Sequence, residues 1–590
     1  MFSVCVGHIT DIHNLFRQLS QIKMIFRTFV PSNNQKRICM KSLHRFIWIL
    51  VLVAICNVSC GKDDPEPSNN NNNGNDKEEP SLLVSQYLVY DGMALYYLWN
   101  EQMLHREPTE ADTDPKRYFR TLLDPIDRRN DWSWITDDVD ALLRNFAGET
   151  ARVLGLAPLR VSGFWPNRYV VFVRYVYPKS SAYEAGIERG NAIWEIDGRP
   201  ITAQNINLLS ETNREIRLTI FGQDDPALSD GNIPLPVTTW EVAITPESFP
   251  SNPVLHYSVH PIGDRVIGYL FYTTFRSGTE INNFNEYLFQ AFSYFKRRNV
   301  TDLVLDLRYN PGGEVSAAIY LASMIAPRAD VENNEVFTIM SYNRFMNAEF
   351  DRNFEINFPR GPEYYRRWER NSRLGAFNDD LFQNPLNANI NPNGNLRVYI
   401  IATRFSASAS ELTIFCLRPF MEVVHIGEET QGKYTASWTV HAFDNFFVGE
   451  GANRIARVQR VHDASRFTSA QREELRNWAM QLIVGTYTDR DGRDFVAEGT
   501  LRPNERIPYS IQNWKPIGDE RDFLFAKAIS LITGQPSPAA ISPAATRSAS
   551  DKFIGTPILS PQEEQLRRAV NVDNVEIDPE MLREMLRSLR

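Results

Sequence analysis

The chain has 590 residues, 43% of them hydrophobic and 23% charged, with a net charge of −9. That length implies several domains of ordinary globular composition, and no basic stretch is present that could neutralise phosphates, so nucleic acid is not an expected partner. Four of the five cysteines (Cys5, Cys39, Cys56, Cys60) fall in the first 60 residues and only Cys416 lies in the body, which leaves no disulfide framework; with no zinc-ligand spacing either, no metal or other cofactor is expected.

In chain order, residues 1–39 read as an upstream extension, with Met40 as the initiator of a signal peptide over 40–59: a short basic region, an apolar run from Phe46 to Cys56, then small residues. Ser59-Cys60 resembles a bacterial lipoprotein cleavage site, with Cys60 as the acylated residue, although Asn57 stands where such sites prefer an aliphatic one. The following 60–81, with asparagines at 69–73, reads as a disordered tether. Lys62-Asp63-Asp64 looks like the surface-export signal of Bacteroidetes-type lipoproteins. The resemblance implies a cell-envelope protein, lipid-anchored to the outer membrane and exposed at the surface.

Residues 82–150 form the first expected folded unit. The dense apolar and aromatic residues of Leu82 to Leu104 predict a helix, and Asp137 to Phe146 a second. From 151 to 250 the pattern changes to short strands. Tyr169 to Val176 is strongly β in character, and Asp197-Gly198 is a hairpin turn. The run AGIERGNAIWEIDGRPI (185–201) resembles a PDZ domain, with Asn191 where an aspartate is usual. Such a domain adds a peptide end as a strand and holds its carboxylate on backbone N–H groups; Gly155, Leu156 and Ala157 are assigned to that loop.

Residues 251–535 form the third unit. Val266 to Phe271, Glu280 to Arg298 and Asp302 to Leu307 predict a strand, a helix and a strand joined as a parallel crossover. Val315 to Ile325 is a further helix. Residues 396–402 and 423–427 are further buried strands, and 326–395 is an insertion without clear periodicity, a lid or a packing extension. Over 536–590 the expectation is a Pro/Ala/Ser-rich linker and a short amphipathic helix opened by Asp578-Pro579, whose face Met581, Leu582, Met585, Leu586 and Leu589 docks on the body or on a partner.

The chemistry is expected in this third unit. Arg404 to Glu411 (RFSASASE) is a small-residue run between a strand and an apolar stretch, which suits a serine at the mouth of a helix. Ser408 is the expected nucleophile, with Ser406 and Ser410 as competitors, and Lys433 the base. A lysine takes the proton only when neutral, and bringing a free amine from about 10.4 to about 7.5 needs roughly 4 kcal/mol of destabilisation of the charged form, which burial can supply. Glu411 either orients the site or caps the helix. His441 and Asp444 offer a Ser-His-Asp alternative.

The order of these parts, a helical front with YYLWNE and WSWI, a PDZ-like module, then LDLRYNPGG, SASASE and GEETQGK, resembles the carboxyl-terminal processing (tail-specific) serine proteases over about residues 82–535, in the variant found in Bacteroidetes lipoproteins. The resemblance implies an α/β multidomain protein whose protease domain is ClpP/crotonase-like. It assigns Ser408 as nucleophile and Lys433 as base of a Ser-Lys dyad, with the backbone N–H groups of Gly312 or Gly313 and of Ala409 as the oxyanion hole. The expected activity is endopeptidase cleavage of unfolded or C-terminally captured polypeptides. Residues 445–470 depart from the family pattern, which keeps open a peptide-binding lipoprotein of weak or no activity. An esterase would leave the PDZ-like module unexplained. The oligomeric state is not legible.

Overall fold

The computed structural model describes residues 81–146, 153–165, 167–210, 213–222, 236–248, 252–278, 283–357, 370–375, 383–444, 447–448, 455–456, 458–496, 499–509, 511, 514–536, 555–558 and 579–589. The expected extension, signal peptide, Cys60 and all but the last residue of the tether lie outside the described residues, as do most of the linker and Asp578.

Ser85–Tyr90 and Asp91–Tyr96 run on as one helix, α1. It ends well before Leu104, because side-chain amides take its last carbonyls. Asn100 Nδ2 donates to Ala94 O at 2.7 Å, and Asn343 Nδ2 to Leu95 O and Tyr97 O at 2.9 and 3.0 Å. The helices α2 (Pro115–Leu122) and α3 (Pro125–Asn130) start alike, with Asp114 or Asp124 accepting a first-turn N–H and proline in that turn. The strand β1 (Trp134–Thr136) and helix α4 (Val139–Phe146) follow.

The next unit is an antiparallel sheet of β2 (Leu156–Trp165), β3 (Arg168–Val176), β4 (Ala192–Ile196), β5 (Ile216–Phe221) and β6 (Trp240–Ile244) in that order. The period-2 alternation of β3 serves two cores. Val171 and Val173 point into the unit's own cluster with Ile193 and Leu218, while Val170 and Phe172 join a second cluster with Tyr269, Tyr309 and Trp514. Asp197 and Gly198 both have positive φ, 52° and 69°, as a tight two-residue hairpin requires.

The third unit carries β7 (Val254–Ile262), β8 (Arg265–Tyr272), helix α5 (Phe284–Arg297), β9 (Asp302–Asp306), helix α6 (Val315–Ile325), β10 (Val336–Tyr342), β11 (Arg397–Ala402), helix α7 (Ala409–Leu417), β12 (Val423–Gly427), β13 (Thr435–His441), β14 (Ala479–Asp489), β15 (Glu505–Arg506) and helix α8 (Phe523–Thr533). One sheet has the order β15-β12-β11-β9-β8-β7, parallel throughout except for β7. The expected crossover is there: β8 and β9 pair in parallel around α5. A second sheet centres on β14, flanked by β10 and β13, with β1 added to it. The 326–395 region thus contributes two strands to this sheet, β10 and the short Asn371–Arg373 paired with it. The first unit does not keep a core to itself: Leu88, Met93 and Trp132 share one apolar cluster with Leu305, Ala409 and Leu482.

The tail returns to the β-rich unit and to the front helix. Gly555–Pro557 forms β16 along β2. Pro579–Leu589 forms α9, which packs on α1 with Leu582, Met585 and Leu586 buried, so its apolar face docks on the body.

Candidate active site

Ser408 sits between β11 and α7 at φ 59°, ψ −114°. Positive φ is rare for a residue with a Cβ and costs on the order of 1–3 kcal/mol. Two features hold it there. The Glu411 carboxylate, one turn on, accepts the Ser408 N–H at 2.6 Å, and the Asn310 loop packs against it from the end of β9. The Asn310 carbonyl accepts Ala407 N–H and Ser410 Oγ at 3.2 and 2.9 Å. Gly312 lies so close that a Cβ there would meet Ser408 Cβ at 2.7 Å and Ala409 N at 2.9 Å, and its φ is +104°; both facts require glycine.

The three candidate serines are all fully buried, and their hydroxyls differ. Ser406 Oγ donates to Leu307 O at 2.7 Å, and Ser410 Oγ to Asn310 O at 2.9 Å. Ser408 Oγ donates to no acceptor among the described residues and caps the first turn of α7.

Lys433 is 2% exposed and lies on the turn before β13. That turn is bound to the serine turn by one carboxylate: Glu411 accepts Lys433 N–H at 2.9 Å, Gly432 N–H at 2.6 Å and the Thr430 hydroxyl, in addition to Ser408 N–H. Burial pushes the Glu411 carboxyl up, and these four donors pull it back. Tyr487 closes the other side, its hydroxyl 3.3 Å from the carbonyl oxygens of both Ser408 and Lys433. The main chains at 408 and 433 are therefore neighbours, clamped by the same two side chains. Gly432 has φ +87°, and a Cβ there would strike Gly499 O at 1.8 Å.

The candidate oxyanion donors separate. Gly312 N–H is taken by Asn310 Oδ1 at 2.9 Å. The N–H groups of Gly313, at φ +138°, and of Ala409, at the start of α7, meet no acceptor among the described residues. Gly313 is fixed by the groups on either side: Phe275 N–H donates to Gly312 O, and Glu314 N–H to Phe275 O. His441 is occupied elsewhere. Nε2 meets Arg476 O at 3.0 Å, Nδ1 accepts Asp444 N–H at 2.9 Å, and burial holds its pKa below the ordinary imidazole value. Gly155, Leu156 and Ala157 belong to the β-rich unit, where Gly155 makes a positive-φ turn of +82° into β2.

Two contributors were not expected from the sequence. Tyr487 lies near the end of β14, between Thr486 and Thr488, and carries no motif. Asp127, on α3, is fully buried and accepts the Tyr97 hydroxyl at 2.8 Å and Ser133 N–H at 2.7 Å. Burial pushes its carboxyl up, and these donors, together with the charge of Lys433, pull it back. Trp132 beside it meets the Tyr434 ring edge-on at 5.7 Å, so the first unit reaches the Lys433 turn.

Comparison with known proteins gives concordant results. Residues 266–506 match the Peptidase family S41 profile, and residues 86–134 match that of the Peptidase S41 N-terminal domain. The chloroplastic C-terminal processing peptidase of Tetradesmus obliquus is 26% identical over 253 residues, 41% of this chain and 51% of that protein. The chain thus spans about half the length of the curated relative it matches. Among solved structures, a putative S41 protease from Bacteroides fragilis NCTC 9343 superposes with a TM-score of 0.53 at 23% identity, covering 76% of this chain and 97% of that one, a likeness of fold.

Proposed function

Because residues 86–134 and 266–506 match the two peptidase S41 domains, we propose that this chain is a serine endopeptidase with Ser408 as nucleophile and Lys433 as general base. The observation that carries the reading is the contrast among the serines: among the described residues one hydroxyl donates to no acceptor, on a strained turn, beside a buried lysine turn. Ser408 Oγ attacks the scissile carbonyl carbon and its proton passes to Lys433 Nζ. Only a neutral amine can accept it; burial at 2% exposure disfavours the ammonium, whereas the Asp127 carboxylate nearby favours it. The tetrahedral oxyanion is received by the N–H groups of Gly313 and Ala409, with the positive end of α7 behind them. The leaving amine takes the proton from Lys433, and water then hydrolyses the acyl-enzyme.

The β-rich unit, read as PDZ-like, carries a glycine turn that leads into β2, the strand along which a chain end would be held. Unfolded or C-terminally captured polypeptides are the proposed substrates. Attachment to the cell envelope through acylated Cys60, with the folded part displayed at the outer membrane surface, is supported by the sequence of residues 40–81 alone. Casein or peptide cleavage by the purified protein tests the enzymatic part. Ser408→Ala and Lys433→Ala are each expected to lose at least about 10³-fold in kcat. Wild-type rates in Ser408→Ala overturn the assignment, and no cleavage by the unaltered protein favours a peptide-binding lipoprotein.

A further inference from the structure

The edge of β2 on which a captured peptide would lie is already occupied. The segment Gly555–Pro557 runs antiparallel along it, with Gly555 opposite Val161, Thr556 opposite Arg160 and Pro557 opposite Leu159. Ile558 N–H donates to Pro158 O at 3.1 Å. The Ile558 side chain packs, partly buried, on the apolar cluster that contains Leu156, Val171, Ile206 and Leu209.

Three features distinguish this strand from a structural one. It is three residues long and includes Pro557, which has no N–H to give to a ladder. It lies at the end of the sheet, so its removal would leave β2 as an open edge with unpaired N–H and C=O groups, the template that extended peptides join. Its direction is that of a captured chain end: the register carries the segment from Val161 towards the Gly155 turn as its own numbering rises. An incoming polypeptide would bring a terminal carboxylate to that turn. The resident segment continues into Leu559 and brings only another peptide group.

We propose that Gly555–Ile558 is a resident pseudo-ligand of the β-rich unit, displaced by polypeptides that end in an apolar residue with a free α-carboxylate. The segment competes intramolecularly, at the effective millimolar concentration typical of a tethered ligand. An incoming end prevails through the carboxylate contact that the segment lacks. Because α9 is anchored separately on α1, a displaced segment stays attached and can return. The peptide edge is thereby closed to internal stretches of chain and opens to chain ends. The inference rests on the PDZ-like reading of the unit but not on the peptidase chemistry.

The test uses the full chain carrying Ser408→Ala, so that no probe is consumed and binding is read whether or not Ser408 is the nucleophile. The probe is a fluorescein-labelled peptide ending in Gly-Thr-Pro-Ile with a free carboxylate, and its twin ends in a carboxamide; both are followed by fluorescence anisotropy. Adding Ile558→Asp, which removes the apolar anchor, is expected to lower the Kd of the acid peptide about tenfold. Thr556→Pro, which removes the N–H opposite Arg160, is expected to do the same by a different route. In each protein the carboxamide binds more weakly than the acid. An unchanged Kd in both variants, equal affinity for acid and carboxamide, or no binding to any form overturns the proposal.

Discussion

A hydroxyl in a protein interior ordinarily finds a carbonyl, as Ser406 and Ser410 do. Leaving the Ser408 hydroxyl without one, on a turn that disfavours any residue bearing a Cβ, requires the surroundings to fix the geometry. Glu411 does much of this. Its carboxylate is a single acceptor for the backbone at 408, 432 and 433 and for the Thr430 hydroxyl. The sequence leaves two roles open for this residue, orienting the site or capping the helix, and the geometry combines them, since the bond to Ser408 N–H is a helix-capping bond. In Glu411→Gln an amide NH2 faces N–H donors that a carboxylate oxygen now accepts. We expect kcat to fall about 100-fold with KM changed by less than about threefold, together with a lower melting temperature. Steady-state kinetics on a peptide substrate check this; a KM effect with kcat intact would assign Glu411 to substrate binding.

The elements around the site were legible to different degrees, and locality explains the differences. The strand, turn and helix around Ser408 are encoded in consecutive residues, and so are Gly312 and Gly313 after β9. Strand β10 was not legible: it is held by Thr338 to Tyr342 pairing with Gly485 to Asp489, a contact that no local periodicity records. The early end of α1 likewise depends on Asn343, far away in sequence. Strand β12 carries a testable charge. Burial, with the Arg418 guanidinium adding to it, pushes the His425 imidazole down from 6.5 to about 4. Between those values the unfolded chain binds a proton that the folded chain does not, so this contribution to stability is lost as pH falls through 6.5 towards 4. The shift corresponds to about 3 kcal/mol. Between pH 7 and pH 4 the wild type is expected to lose about that much more stability than His425→Leu in urea unfolding; parallel losses would show that the histidine is protonated in the fold without cost.

At the scale of the whole molecule, separate stretches of chain converge on the region of Ser408 and Lys433. The front unit shares its apolar cluster with the third unit and sets Asp127 and Trp132 by the Lys433 turn, while the tail touches both the β-rich unit and α1. The sequence divides the body into successive units because composition changes along the chain. The shared core and the tail's return are long-range packing, which composition does not reveal. The proposed membrane attachment rests on the sequence of residues 40–60 and has its own check. Cys60→Ala is expected to move the protein from the membrane fraction to the soluble fraction and to abolish labelling by a palmitate analogue; unchanged fractionation would remove the lipid anchor from the account. The central claim is that the 408 hydroxyl is activated by the 433 amine. Mass spectrometry after a fluorophosphonate probe tests it most directly. The account predicts one adduct, on Ser408, lost in Ser408→Ala and formed at least about 100-fold more slowly in Lys433→Ala. An adduct on another residue, or labelling at the wild-type rate without the lysine, would contradict it.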